Sequence, residues 1–181
     1  MRINFFAGAG SGKSTTAAWL FSELKRLGHS VELVSEYIKG WTYIDRKPRS
    51  FDQVYIFSKQ LHYEDRVLAS GVKNIVCDSP ILLSPIYAKF YSARPSIQDA
   101  LRELALEFDD AYPSISIFLE RREKEFKKEG RWGTREEAER IDKEILEFLT
   151  GHYQDKSFPL LISNWHEQDA ILKFALEHIT K

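Results

Sequence analysis

Ala7-Gly8-Ala9-Gly10-Ser11-Gly12-Lys13-Ser14-Thr15 decides how the rest of this chain is read. It follows an apolar run, residues 2–7, that reads as a buried strand, and it opens residues 13–27, where Ala17, Leu20, Phe21, Leu24 and Leu27 fall on one helical face. Strand, glycine-rich turn and helix in that order are the context a Walker A motif requires. Glycines let the backbone curl around a phosphate chain without Cβ clashes. The amides of Gly8, Ala9, Gly10, Ser11, Gly12, Lys13, Ser14 and Thr15 then face inward, and the helix N-terminus favours an anion. Lys13 is expected to reach the β- and γ-phosphates of ATP, and Ser14 to offer its hydroxyl to Mg²⁺. The first motif position is Ala7 instead of glycine, a small departure.

Working outward, short apolar runs alternate with longer helical stretches. Residues 31–35, 74–78, 115–119 and 159–163 read as further strands. Helices are expected from residue 50 or 51 to 69, from Ser96 to about 108 with Asp99 completing a capping box, from Thr134 to about 149 with a Thr134–Glu137 box, and over 167–179. Strands separated by helical crossovers imply a parallel sheet covered on both faces, a three-layer α/β/α domain with five strands. Residues 39–50 and 120–133 stay irregular and are candidate working loops, the second a lid.

The chain has 181 residues, 43% hydrophobic and 13% aromatic, enough for one domain with a buried core. A disordered chain, a fibre and a disulfide scaffold are excluded. The lone cysteine, Cys77, fits a reducing compartment and removes any multi-cysteine zinc site. The five histidines are scattered and read as structural or surface groups. No apolar run is long enough to span a membrane, and the N-terminus lacks a cleavable signal pattern, so a soluble, cytoplasmic protein is expected, monomer or homodimer.

Asp78 ends the third strand, where a carboxylate beside such a loop holds magnesium with Ser14; the alternative is a strand-end aspartate capping a turn before Pro80. Glu36 follows the second strand, at the sheet edge where ligands bind, and could orient an acceptor hydroxyl and take its proton; the alternative is a solvated loop glutamate. No Asn-Lys-x-Asp segment reads guanine, and no Asp-Glu pair follows the third strand as in motor ATPases. Small-molecule kinases remain. In the lid, Arg121 and Arg131 are the candidates to clamp the transferring phosphoryl group, with Arg122 and Arg135 behind them; surface ion pairing is the competing explanation.

The acceptor side is expected over about residues 36–63. Residues 39–50 set Lys39, Arg46, Lys47 and Arg49 against Asp45 alone, with Trp41 and Tyr43 interleaved, a combination that suits a phosphate and a stacked base or else a solvated loop. Gln60 could pair with a base edge or sit at the edge of the core. Residues 163–166, after the fifth strand, could flank the adenine of ATP.

FFAGAGSGKSTTAAWLF (5–21), VELVSEYIKG (31–40), DQVYIFSKQ (52–60), CDSPILLSPIY (77–87), IFLERRE (117–123), Gly130-Arg131 and EEAERID (136–142) together resemble virus-encoded P-loop kinases similar to thymidylate kinases, a group that includes the 5-hydroxymethyldeoxyuridine DNA kinases. The resemblance spans about residues 1–149; a looser likeness runs to nicotinamide-riboside kinase domains and deoxynucleoside kinases. It implies strand order 2-3-1-4-5 and ATP-dependent phosphorylation. The acceptor it implies is the hydroxymethyl group of 5-hydroxymethyluracil in DNA, a step towards hypermodified thymidine, in the host cytoplasm if the chain is virus-encoded. A free deoxynucleoside or nucleoside-monophosphate kinase is the alternative, and an NTP-binding switch a further one. The lid here carries more charge (EKEFKKEG, 123–130) than the group's pattern.

Overall fold

In the computed structural model, which describes residues 1–91, 93–122, 132–152 and 159–179, β1 (Arg2–Phe6) is the middle strand of a five-stranded parallel sheet. The order is β2-β3-β1-β4-β5, with β2 over Val31–Val34, β3 over Asn74–Cys77, β4 over Ser114–Leu119 and β5 over Leu160–Ser163. Register pairs Ile3 with Val76 on one side and Ile115 on the other, so the C-terminal ends of β1, β3 and β4 open together. The order implied by the resemblance is the one observed.

Helices cover both faces, which is why β1 and β4 are buried along their whole length. Ile3, Phe5, Ile115 and Ile117 face α1 (Lys13–Arg26) and α7 (Gln168–His178), meeting Ala17, Leu20, Leu24 and Ile171. Phe6 and Phe118 face the opposite side, with Phe57 of α3 (Asp52–Ala69), Leu101 of α5 (Pro95–Ala111) and Ile145 of α6 (Arg135–His152). No helix among the described residues is long and apolar enough to cross a membrane.

Three elements were not legible in the hydrophobic pattern. Residues 39–50, expected to be irregular, open with the short helix α2 (Lys39–Thr42). The 3₁₀ turn Ile81–Leu83 leads into α4 (Ser84–Phe90), with Pro85 in the first turn, where a missing N–H costs nothing. This apolar run is too short to show a helical period. Helix α5 starts at Pro95 after Arg94 in an extended conformation, so Ser96 lies inside the first turn and makes no cap with Asp99. The expected box at α6 does form: the Glu137 N–H donates to Thr134 Oγ1 at 3.3 Å and the Thr134 N–H to Glu137 Oε2 at 2.8 Å.

At the start of β1 lies a buried polar cluster. Arg2 is fully buried and pairs with Asp109 and with Glu64 Oε2 at 3.3 Å. Its Nε also donates to the Tyr112 carbonyl at 3.0 Å. Removing one partner of such a pair costs about 3–5 kcal/mol, because the other charge stays buried.

Candidate active site

The loop between β1 and α1 owes its path to two left-handed residues, Gly10 at φ 85° and Gly12 at φ 92°. Gly8 is needed for a different reason: a Cβ there would lie 2.5 Å from the Ala138 carbonyl oxygen of α6. Helix α6 therefore rests directly on the loop. Its Asp142 accepts the Gly8 N–H and the Nε–H of Arg121 at 3.0 Å, while Arg121 also donates to the Ala9 carbonyl at 2.8 Å. Lys13, at the start of α1, curls back and donates its Nζ to the Ala7 carbonyl at 2.7 Å. The loop after β5 touches the same turn, with Trp165 against Gly12 and its ring 3.9 Å from that of His166.

At the neighbouring strand ends, Asp78 is 5% exposed, and its Oδ1 has no hydrogen-bond partner. Ser79 beside it is likewise buried. Ser14 Oγ accepts from Lys39 Nζ at 3.1 Å. Burial pushes the carboxyl of Glu36 above its ordinary value of 4.5; Lys13 and Lys39 pull it back, and Asp78 adds to the rise. Glu36, Lys13, Lys39, Asp78 and Ser14 thus share one corner of the sheet edge, the crevice where open α/β sheets bind ligands.

From this corner a cavity of about 330 Å³ extends over α3 and α4. Tyr87 and Tyr91 line it, stacked at 6.3 Å with an interplanar angle of 18°. Burial first, then the charge of Glu36, raises both phenols, Tyr91 to about 12. Gln60 lines the inner wall with its carboxamide fixed at both ends: Oε1 accepts the Tyr37 N–H at 3.1 Å and Nε2 donates to Glu64 Oε1 at 3.3 Å. Glu64 also takes the Ile81 N–H at 2.8 Å and holds Arg2.

The sequence-expected residues divide. Residues 9, 10 and 12–15, with Glu36, Gln60 and Tyr43, line the cavity, and Asp78 is buried next to them. Gly8 and Ser11 serve the loop from behind; Ser11 Oγ donates to the Gly8 carbonyl at 3.0 Å. Trp41 is 7% exposed and absent from the cavity wall: it packs on Tyr55 at 6.3 Å and carries the Arg46 guanidinium 3.7 Å above its ring. Arg46 bridges Asp52 at 3.1 Å, in a shallow hollow formed by residues 45–49 and 52. Tyr43 is 74% exposed at the rim. Arg121 reaches the phosphate loop. Arg122 lies among exposed carboxylates, 3.7 Å from Glu167, and Arg135 pairs with Glu139 at 2.6 Å. Arg131 and most of the expected lid, 123–131, lie outside the described residues.

Sequence reasoning missed Lys39 as a partner of Ser14, Gln53, Tyr87, Tyr91 and Trp132 as wall residues, and Asp142 as the anchor of the loop. Gln53 and Gln60 at i and i+7, and Tyr87 and Tyr91 at i and i+4, were the available signals. For Asp142, distant in sequence from Gly8, there was none.

A glycine-rich loop between the central strand and its helix, in a sheet of this order, defines a P-loop nucleotide-binding fold. The chain belongs to the family described as AAA domain, whose model matches residues 2–163. No curated protein matches it in sequence. Among solved structures, NadR protein in complex with NR is similar at 15% identity and TM-score 0.72, over 99% of this chain and 53% of that one, so this chain spans about half the length of NadR. Deoxyadenosine kinase from M. mycoides with bound dATP is similar at 20% identity and TM-score 0.61, over 98% of each chain. The same enzyme with the products dCMP and a flexible dCDP gives TM-score 0.58 at 20% identity, over 98% of this chain and 97% of that one. At these identities the likeness is one of fold.

Proposed function

We propose that the chain is an ATP-dependent kinase that transfers the γ-phosphate to a hydroxyl of a nucleoside-type acceptor. One observation carries the reading: Glu36, a carboxylate raised by burial, shares a single cavity with Lys13 and the phosphate loop, and that cavity continues along α3 between Gln60 and two stacked tyrosines. A proton acceptor beside a phosphate cradle with aromatic room behind it suits transfer to a neutral alcohol.

In this reading the amides of residues 9–14 hold the β- and γ-phosphates, while the Gly8 N–H stays on Asp142. Lys13 leaves the Ala7 carbonyl for the anion, and Glu36 orients the acceptor hydroxyl. The acceptor oxygen forms a bond to Pγ, the bond from Pγ to the bridging oxygen breaks, ADP leaves, and the hydroxyl proton passes to Glu36. We assign Arg121, which hydrogen-bonds the loop, to the oxygens of the transferring group; Arg131 is kept as its expected companion. The hard oxygen donors Ser14 Oγ and the unpartnered Asp78 Oδ1 fit magnesium, which when bound neutralises charge on the β- and γ-oxygens.

The finer reading follows the resemblance: the hydroxyl is the hydroxymethyl group of 5-hydroxymethyluracil in DNA. The rim favours it, since Tyr43, Ile44 and Phe51 are exposed beside Arg46, Lys47 and Arg49, stacking surface next to positive charge. A free nucleoside or nucleotide acceptor is the alternative. Labelled ATP is offered with hydroxymethylated duplex DNA and, separately, with free nucleosides and monophosphates. Label in the DNA supports the finer reading, label only on free nucleotides replaces it with the alternative, and no labelled acceptor at all leaves an NTP-binding switch.

A further inference from the structure

Asp142 holds two groups at once. Its Oδ1 accepts the Gly8 N–H of the phosphate loop, and its Oδ2 accepts the Nε–H of Arg121 at 3.0 Å. The Arg121 guanidinium is held a second time, by an Nη2–H donated to the Ala9 carbonyl at 2.8 Å. Both side chains are withdrawn from water, Arg121 at 8% and Asp142 at 14% exposure. An exposed ion pair has little effect; an enclosed one makes each charge depend on the other.

The place of Asp142 is set by the packing of α6. It lies one turn after Ala138, which is in close contact with Gly8, and its neighbours Ile141 and Ile145 are buried in the core. A carboxylate beside an anion-binding loop repels the anion, and a neutral acceptor would satisfy the Gly8 N–H equally well. The charge is accounted for by what it does to Arg121. Of the five guanidinium donors, the two bonds use one on Nε and one on Nη2. Nη1 and the second Nη2–H make up the end-on fork, the edge that takes two phosphoryl oxygens side by side. The pair is also within electrostatic reach of the cavity. Burial first, then Glu36 and Tyr91, raise the phenol of Tyr87 in the cavity wall; Asp142 raises it further and Arg121 lowers it.

We propose that Asp142 is a positioning residue for phosphoryl transfer, fixing the plane of the Arg121 guanidinium through Nε so that its fork meets the oxygens of the transferring group. This rests on the assignment of Arg121 made above. Released from Asp142, the same cation would still attract the nucleotide, but it would no longer be aimed in advance at the charge that develops in the transition state.

The variants are Asp142→Asn, Arg121→Gln, the two combined, and Arg121→Lys. Each is assayed with labelled ATP and hydroxymethylated duplex DNA, free nucleosides and monophosphates, and each is titrated with ATP by calorimetry. In Asp142→Asn the carboxamide oxygen still accepts the Gly8 N–H, while its NH₂ opposes the Arg121 Nε–H and releases it. kcat should fall about tenfold to a hundredfold, with ATP affinity within about threefold of wild type. Arg121→Gln should lose at least as much, and adding Asp142→Asn to it should cost less than about twofold more, because the two side chains act as one unit. A purely structural tie between α6 and the loop would instead lower melting temperature and ATP affinity and leave kcat in place. Arg121→Lys keeps a cation without the Nε–H and should match Asp142→Asn in kcat, so it carries the test if Asp142→Asn does not fold. Wild-type kcat in Asp142→Asn or in Arg121→Lys, or a full further loss in the combined variant, overturns this inference alone. Wild-type kcat in Arg121→Gln overturns the assignment of Arg121 along with it, and a wild-type chain that labels no acceptor overturns the kinase reading itself.

Discussion

At the phosphate end of the cavity the chain satisfies itself. Lys13 is held by Ala7, Gly8 by Asp142, the Ala9 carbonyl by Arg121, and Ser11 by the Gly8 carbonyl. The acceptor end is built differently. Gln53 Nε2 and Trp132 Nε1, on residues that line the cavity, are buried without partners. The first region is a cradle kept in shape before any ligand arrives, and its bonds must be exchanged when one does. The second is an arrangement of polar atoms that a ligand completes. On the proposed reading, preorganisation sits on the anion side and recognition on the acceptor side.

The largest break in that contrast is Lys13→Ala. It removes the cation that, in the proposed reaction, leaves the Ala7 carbonyl for the phosphates, and turnover should fall about 10²–10³-fold while the circular dichroism spectrum stays native. Next is Glu36→Gln, expected to lower kcat about a hundredfold with ATP affinity nearly unchanged. Glu36 must be deprotonated to accept a proton, and burial raises its carboxyl, so wild-type kcat/KM should climb with pH through a midpoint above 4.5. In Glu36→Gln that acid limb should vanish, which a pH–rate profile checks.

Gly8→Ala tests the cradle's shape without touching its charge. The new Cβ would meet the Ala138 carbonyl at 2.5 Å, so α6 must shift. About 1–3 kcal/mol of strain is expected, with a drop of several degrees in melting temperature and about tenfold weaker nucleotide binding by calorimetry. The smallest effect should come from Arg46→Ala. Its ion pair with Asp52 is partly exposed and worth under about 1 kcal/mol. With a DNA acceptor, KM should rise a few-fold and the salt dependence should weaken by about one charge; with a free nucleoside, neither should change.

The same contrast explains what could be read from the sequence. The cradle is local: one strand, a run of glycines and one helix, whose φ values and amides follow from residues 2–26. Asp78 and Glu36 were legible because parallel strands end at one edge. The acceptor wall is assembled from α3, α4, the 79–83 turn and Trp132, and no period in the sequence brings Tyr87 to Gln53. Trp41 shows the limit of composition: an aromatic in a basic segment suggests stacking on a base, yet its place is under Arg46 and beside Tyr55. Asp142 shows the limit of local patterning, since an aspartate in a charged amphipathic helix looks solvated until α6 is laid on Gly8.

The most direct test follows the γ-phosphate of labelled ATP in the presence of nucleoside and hydroxymethylated DNA acceptors, with wild type, Lys13→Ala and Glu36→Gln side by side. The expected result is label in an organic phosphate, formed by wild type and nearly lost in both variants. Label released only as inorganic phosphate, or an organic phosphate formed equally well by Glu36→Gln, would contradict it.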